Sequence, residues 1–570
     1  MCGFIGVFDP ATKTQEKDLV RALDALRHRG IDDAGTLRVD PMWLGHVRRA
    51  IIDRDGGSQP MSSRDGQIHV VFNGEIYNHH EIRSELIGRG YVFETRSDTE
   101  VLIHLWREKR EKLLDELLGM FSFVIWDSNL KTGIVARDRQ GIKPCFIAKL
   151  PDGGIAVASE IKALRCLASV DVEVDYESLG LIHAYNYLPP PRTCYKGITH
   201  LPPGSYLKID GNFVSDPQVY WKFPIGSGRL KPDFAHFDKV FEAAVSSQLE
   251  FDVSACLFLS GGVDSSILAE KLSKFRAVET AYALKCEFAE YDEFPLAQSV
   301  AINKGFKIKP VVYSHSVVTN DWARCLAYAD QPHGDMSFIL MSKLFEQAND
   351  DGFTVAFNGD GADEVLASQQ NPWVQDLDQH FFAINYFEAG FARKVLMSDV
   401  LSGWESANSI WGEVIDEVIS QDPVDKVLNF EVTKLMPGNN LVKSDRMGSA
   451  FSMEGRSPFL DHRVSEYLCR LESGAKQRNG VGKWFLKEYG CRFFSRDHMF
   501  RKKTMPTLPI GQWLKGPLFE WGFDTLGKLD PEFYDIDAAR SLLSQHSDGV
   551  ADHTRHLRTL LSVAIWMQSA

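Results

Sequence analysis

The sequence predicts an α/β protein of more than one domain, with a doubly wound parallel sheet in its C-terminal part. The chain has 570 residues, and ordinary domains run ~100–200, so two to four are expected. From about Pro232 onward, helical patterns alternate with short apolar runs at 255–259, 281–284 and 354–357, as they do around buried parallel strands. The first run continues Ser-Gly-Gly-Val-Asp-Ser-Ser over 260–266. That is a glycine turn at the carboxyl edge of the sheet, where such folds bind their ligands.

Composition narrows the class. A hydrophobic content of 44% and a charged content of 25% suit a soluble globular chain. The net charge of −14 argues against a broad nucleic-acid surface, so no nucleic-acid partner is expected. Nine cysteines are scattered without paired spacing, which suggests neither a zinc cluster nor a disulfide framework and fits a reducing cytoplasm. The apolar run 560–567 falls short of the ~20 residues that span a bilayer and reads as a core helix. No membrane partner is expected.

Taken in order, the chain opens Met1-Cys2-Gly3-Phe4-Ile5-Gly6-Val7-Phe8, a strand with no basic leader. Cys is small enough to permit removal of Met1. The new α-amino group would then sit beside the Cys2 thiol as its base. A strand at 68–72 runs into Asn73-Gly74-Glu75-Ile76-Tyr77-Asn78. The following His79-His80 pair reads as solvated rather than ligating. Proline-rich loops at 188–193 and 201–204 precede the linker 223–228, with Trp221 closing the first domain.

In the second part, strand 255–259 includes Phe258, and a helix is expected to open at Ile267. The N–H groups bared by Gly261 and Gly262 at that helix suit a phosphate or pyrophosphate. Ser260, Ser265 and Ser266 can donate further. Asp264 would repel phosphate unless a cation stood between them, so it is read as a Mg²⁺ ligand. The ATPase loop requires Gly-Lys-Ser/Thr and the dinucleotide fingerprint three spaced glycines; neither is present. Strand 354–357 leads into a second acidic loop, Asn358-Gly359-Asp360-Gly361-Ala362-Asp363-Glu364. It is placed to meet the first across a nucleotide.

Two resemblances draw these strings together. Cys2-Gly3, His28-Arg29-Gly30, His46-Val47-Arg48, Asn73-Gly74-Glu75 and Ser97-Asp98-Thr99-Glu100 resemble the class II glutamine amidotransferases, N-terminal-nucleophile hydrolases of four-layer αββα fold. The loop 260–266 resembles that of ATP pyrophosphatases. Together they resemble the glutamine-hydrolysing asparagine synthetase family. The resemblance implies a glutaminase domain over 2–221 and a synthetase domain over 229–570. It makes Cys2 the nucleophile, with Asn73 and Gly74 donating to the oxyanion. Arg48 would hold the glutamine carboxylate, and Glu75 and Asp98 the ammonium.

For the second site it implies ATP and Mg²⁺. Phe258, Ser260, Gly261, Gly262, Asp264, Ser265, Ser266, Leu284, Asn358 and Gly359 would line the nucleotide site, and Asp264 and Asp363 would hold the metal. Asp360 would assist at the reacting centre. A lysine, Lys503 or alternatively Lys502, would neutralise charge during adenylation. Homodimerisation is common in the family.

The acceptor is expected to be aspartate by resemblance, yet the loop 329–337 shows no Arg and no Ser-Thr cluster for a second carboxylate. After Glu364 the family's aromatic-ended segment is replaced by Val365-Leu366-Ala367-Ser368-Gln369-Gln370. Amidation of a different carboxylic acid therefore stands beside the first reading. Intramolecular amide closure is disfavoured by Cys2, and a non-catalytic regulatory descendant by Cys2, Asp264 and Asp363.

Overall fold

The computed structural model describes residues 1–367, 387–501 and 508–568, with Leu377, Phe381 and Asn385 besides. Two antiparallel sheets lie face to face in the N-terminal part. One has the order Ile198–His200, Phe146–Lys149, Ile155–Ala158, Gly3–Phe8, Met42–Arg48, Asp33–Val39. The other runs Phe213–Val214, Ser205–Asp210, Thr132–Arg137, Gly119–Asp127, Ile68–Ile76, Met61–Ser62, with Gln218–Val219 paired to Ser205–Asp210.

Side-chain alternation along each strand sorts the layers. Phe4, Phe8, Val71, Val124 and Trp126 fill the space between the sheets. Ile5 and Val7 turn the other way, to Leu19 and Leu23 of helix Glu16–Asp24. Val70, Phe72 and Phe123 turn outward to Val101, Leu105 and Trp106 of helix Glu100–Lys109. The layers are therefore αββα.

The C-terminal sheet is wholly parallel, in the order Lys307–Tyr313, Thr280–Cys286, Ala255–Phe258, Val355–Phe357, Glu454–Arg456. The winding direction reverses between Ala255–Phe258 and Val355–Phe357, which opens a crevice at their carboxyl ends. The helix after the first of these strands runs Val263–Ser273, four residues earlier than the apolar pattern suggested. Gly262 caps it in extended conformation, and Asp264 falls in the first turn, where the helix dipole favours a carboxylate.

One helix of the N-terminal part, Tyr176–Tyr185, lies against helix Ser398–Asp416 of the C-terminal part. A Cβ on Gly180 would come within 2.2 Å of the Val400 carbonyl oxygen, and one on Gly403 within 1.8 Å of that of Glu177. Only glycines let the two backbones approach so closely. Helix Thr554–Trp566 is buried through Leu557, Leu560 and Leu561. No described helix is long and apolar enough to cross a membrane.

Candidate active sites

Cys2 stands at the head of the first strand. Its carbonyl accepts from Arg29 Nε at 2.8 Å, and its thiol points at the Arg49 carbonyl, 3.7 Å away. Burial lowers the Met1 α-amino group to about 5 and pushes the Cys2 thiol up. A thiol so placed stays protonated at neutral pH, and the Met1 amine buried beside it stays neutral.

Strand Ile68–Ile76 extends four residues beyond 72 and carries Asn73, Gly74 and Glu75 within it. Asn73 is fully buried, and neither amide atom has a hydrogen-bond partner. Gly74 has φ +149, and a Cβ there would meet the Met120 carbonyl oxygen at 2.0 Å. The Arg48 guanidinium is oriented by the carbonyls of Ile52, Asp53 and Arg54 at 2.6–3.1 Å. Asp98 accepts from the Ile76 N–H at 2.9 Å. Glu75 faces Arg456 of the C-terminal sheet at 3.4 Å. Burial raises both carboxyls, so each suits a cationic partner.

A small cavity of about 30 Å³ lies between the two parts of the chain. Met1, Met120 and Lys143 line it from the N-terminal part, and Leu441, Asn358 and Asp360 from the C-terminal part. The Met1 side chain stands in it, with Sδ 3.0 Å from Lys143 Nζ.

In the C-terminal part the two acidic loops converge, though no sequence signal singled out what joins them. Lys483 Nζ lies 2.6 Å from Asp264 Oδ2 and 2.8 Å from Asp363 Oδ1. One cation thus bridges the two carboxylates expected to hold the metal. An all-oxygen donor pair that accepts an ammonium between its members fits a hard divalent ion such as Mg²⁺. Ser260 and Ser265 hydroxyls lie 3.1 Å apart, Gly359 abuts Asp264, and Leu284 lies on strand Thr280–Cys286. The Ser266 hydroxyl meets His498 at 3.2 Å, and Arg501 donates to the Gly261 carbonyl at 2.9 Å.

Asn358 closes a turn by accepting from the Asp360 N–H at 3.2 Å, and its Nδ2 donates to Ser444 at 3.0 Å. Burial raises the Asp360 carboxyl, whose Oδ2 is buried without a hydrogen-bond partner. Lys502 and Lys503 lie outside the described residues, as do Ser368, Gln369 and Gln370.

The family models decide the lineage. The glutamine amidotransferase domain matches residues 1–221 and asparagine synthase matches residues 236–568. The chain belongs to the asparagine synthase family. It is 31% identical to glutamine-hydrolyzing asparagine synthetase 3 of Bacillus subtilis over 91% of this chain and 89% of that protein. Asparagine synthetase 1 of the same organism is 28% identical over 99% of this chain and 96% of its own length. A protein named amidase chry2, from Gibberella zeae, is 25% identical over 98% and 95%.

Asparagine synthase relatives are carbon–nitrogen ligases, and in this member a cation stands beside the loop 329–337 that the loop itself does not supply. Lys443 Nζ, from helix Leu441–Ser449, lies 2.9 Å from Ser337 Oγ and 3.4 Å from Asp335 Oδ2. Reading the loop alone missed it because the charge comes from a segment more than a hundred residues later. Arg29 was likewise a motif residue without a role. It is fully buried, donating to Glu160 at 2.7 Å and to Asp445 at 2.9 and 3.0 Å. The carbonyl of Cys2 is thereby tied to the synthetase half.

Proposed function

We propose that the chain is a glutamine-dependent amide synthetase, with a glutaminase domain over 2–221 and an ATP-dependent synthetase domain over 229–570, and that its acceptor is aspartate. The observation that carries the reading is the cavity, whose lining joins Met1, next to the nucleophile, to Asn358 and Asp360 in the pyrophosphate-loop region.

In this reading Met1 is removed, which exposes the Cys2 amine and vacates its part of the cavity. Cys2 sulfur attacks the glutamine amide while the amine takes the thiol proton. The developing oxyanion meets the Asn73 NH₂ and the Gly74 N–H. Arg48 holds the substrate carboxylate, and Asp98 with Glu75 the ammonium. Collapse of the oxyanion intermediate passes the proton to the departing ammonia and leaves a thioester on Cys2, which water hydrolyses to glutamate; the ammonia leaves by the cavity.

At the second site, ATP lies on the N–H groups of loop 260–266 and the acceptor carboxylate is adenylated, with release of pyrophosphate. Asp264 and Asp363 would hold Mg²⁺, which neutralises polyphosphate charge when bound. Ammonia attacks the acyl-adenylate, forming the amide and expelling AMP, while the Asp360 carboxylate, open at Oδ2, takes the proton. Lys503, or Lys502, and Lys483 supply positive charge beside the leaving pyrophosphate. Lys443 offers the cation for the acceptor's second carboxylate, which favours aspartate. The alternative, a different carboxylic acid, is kept open by the similarity to a protein named amidase.

Pyrophosphate release measured against a panel of carboxylic acids tests the acceptor. Stimulation by aspartate with asparagine as product is expected; stimulation by another acid alone would replace it. Cys2→Ala should abolish glutamine-driven synthesis and leave ammonium-driven synthesis intact. Loss of both would refute the division of labour, and an intact mass retaining Met1 would refute the nucleophile.

A further inference from the structure

We propose that His79, His80 and Glu250 form a site for a divalent d-block cation, Zn²⁺ foremost, joining the N-terminal domain to the C-terminal one. His79 Nε2 lies 3.1 Å from Glu250 Oε2, and His80 Nε2 lies 2.7 Å from Glu250 Oε1. The three ligand atoms fall within 4.8 Å of one another, and no other such group occurs among the described residues. The two rings, 4.1 Å apart and inclined by 34°, direct adjacent residues of one helix start toward one carboxylate.

Burial is graded across the cluster. The side chains are 1% exposed for His79, 38% for Glu250 and 65% for His80. One flank is dry and the other reaches solvent, so three protein ligands leave a fourth position to water. Two imidazoles with one carboxylate select Zn²⁺, Co²⁺ or Ni²⁺ over Mg²⁺, which prefers oxygen alone. This chemistry differs from the Asp264–Asp363 pair.

The ligands are also held in advance. Arg456 Nη1 donates to the carbonyls of Gln248 and Glu250 at 2.7 and 2.8 Å. The Asp252 N–H donates to Ile51 at 2.8 Å, and Asp252 Oδ2 accepts from the Asp53 N–H at 3.1 Å. The segment carrying Glu250 is thus strapped onto the N-terminal domain, opposite the helix His79–Gly88. An ion here would cross-link the halves. It would also add positive charge near Asp98, whose carboxyl already feels His79, and so compete with an incoming ammonium.

That last consequence rests on the glutaminase reading; the binding itself does not. Metal-free full-length protein titrated with Co²⁺ should give the visible absorption of a four-coordinate ion, saturating at one per chain and displaced by Zn²⁺ but not by Mg²⁺. His80→Ala and Glu250→Gln, both at exposed or half-exposed positions, should each abolish the band while leaving the far-ultraviolet circular dichroism unchanged. No band, a band displaced by Mg²⁺, or a band that survives both substitutions would overturn the proposal. In the parent alone, Zn²⁺ should raise KM for glutamine several-fold with ammonium-driven synthesis unaltered. If the band behaves as expected and KM does not move, the site stands and its link to the glutamine pocket fails.

Discussion

Asn73 keeps a fully buried amide with neither atom hydrogen-bonded, an arrangement that folding disfavours by about 1–3 kcal/mol per unsatisfied group. A ligand that completed its hydrogen bonds would remove that cost. Asn73→Ala should lower glutamine-driven turnover by about 10²–10³-fold, leave ammonium-driven turnover unchanged and not reduce the melting temperature. A lowered melting temperature with unaltered glutaminase activity would make Asn73 structural. Lys483 is the complementary case, a buried cation between two carboxylates. Lys483→Ala leaves those charges uncompensated, at a cost of about 3–5 kcal/mol. Thermal unfolding should show that loss, and saturating Mg²⁺ with pyrophosphate should restore more of it than in the parent. Equal shifts in both proteins would mean that the carboxylates hold no metal.

Among elements, the strand Ile68–Ile76 shows how a glycine positions chemistry. At φ +149 with the Met120 carbonyl oxygen 2.0 Å from a hypothetical Cβ, Gly74 lets the strand stay paired with Gly119–Asp127 while Asn73 and Glu75, two residues apart, share one face. Gly74→Ala should destabilise the domain by about 1–3 kcal/mol and abolish glutamine hydrolysis, as read by urea unfolding and ammonia release. Retention of both would show that the strand relaxes freely. Apolar alternation made the strand itself legible, but not its extension to Ile76, because Asn73, Gly74 and Glu75 break the hydrophobic pattern. The helix carrying Asp264 begins before its apolar pattern for a similar reason: Asp264, Ser265 and Ser266 read as loop residues, whereas the first turn of a helix favours them.

At the scale of the whole molecule, buried histidines couple packing to pH. Burial lowers His46 and His183 to about 3 and His333 to about 4, against ~6.5 in an unfolded chain. Each stays neutral when folded, so below ~6.5 the unfolded state binds a proton that the folded state does not. The stability they contribute is present above that pH and is lost as pH falls toward 4. His183, between Thr559 and Tyr534 across the two halves, isolates the effect. His183→Gln should flatten the decline in urea midpoint between pH 7.5 and pH 5 by up to one proton's worth; an unchanged slope would contradict it. Motif strings made the two chemistries and their order along the chain legible. They gave no hint that helix Tyr176–Tyr185 packs onto Ser398–Asp416, because nothing local in either helix encodes its distant partner.

The sequence by itself determined the lineage and the α/β class, and it singled out Cys2 and the two acidic glycine-flanked strings as candidates. Those depend on residue type at short spacing, which the chain order records directly. Only the tertiary structure decided that one cavity is lined by both Met1 and Asp360, that Lys483 stands between Asp264 and Asp363 and Lys443 beside Asp335, and that Arg29 ties Cys2 to Asp445. Each depends on segments distant in the chain meeting in space, where burial makes an unpaired charge costly and so selects its partner.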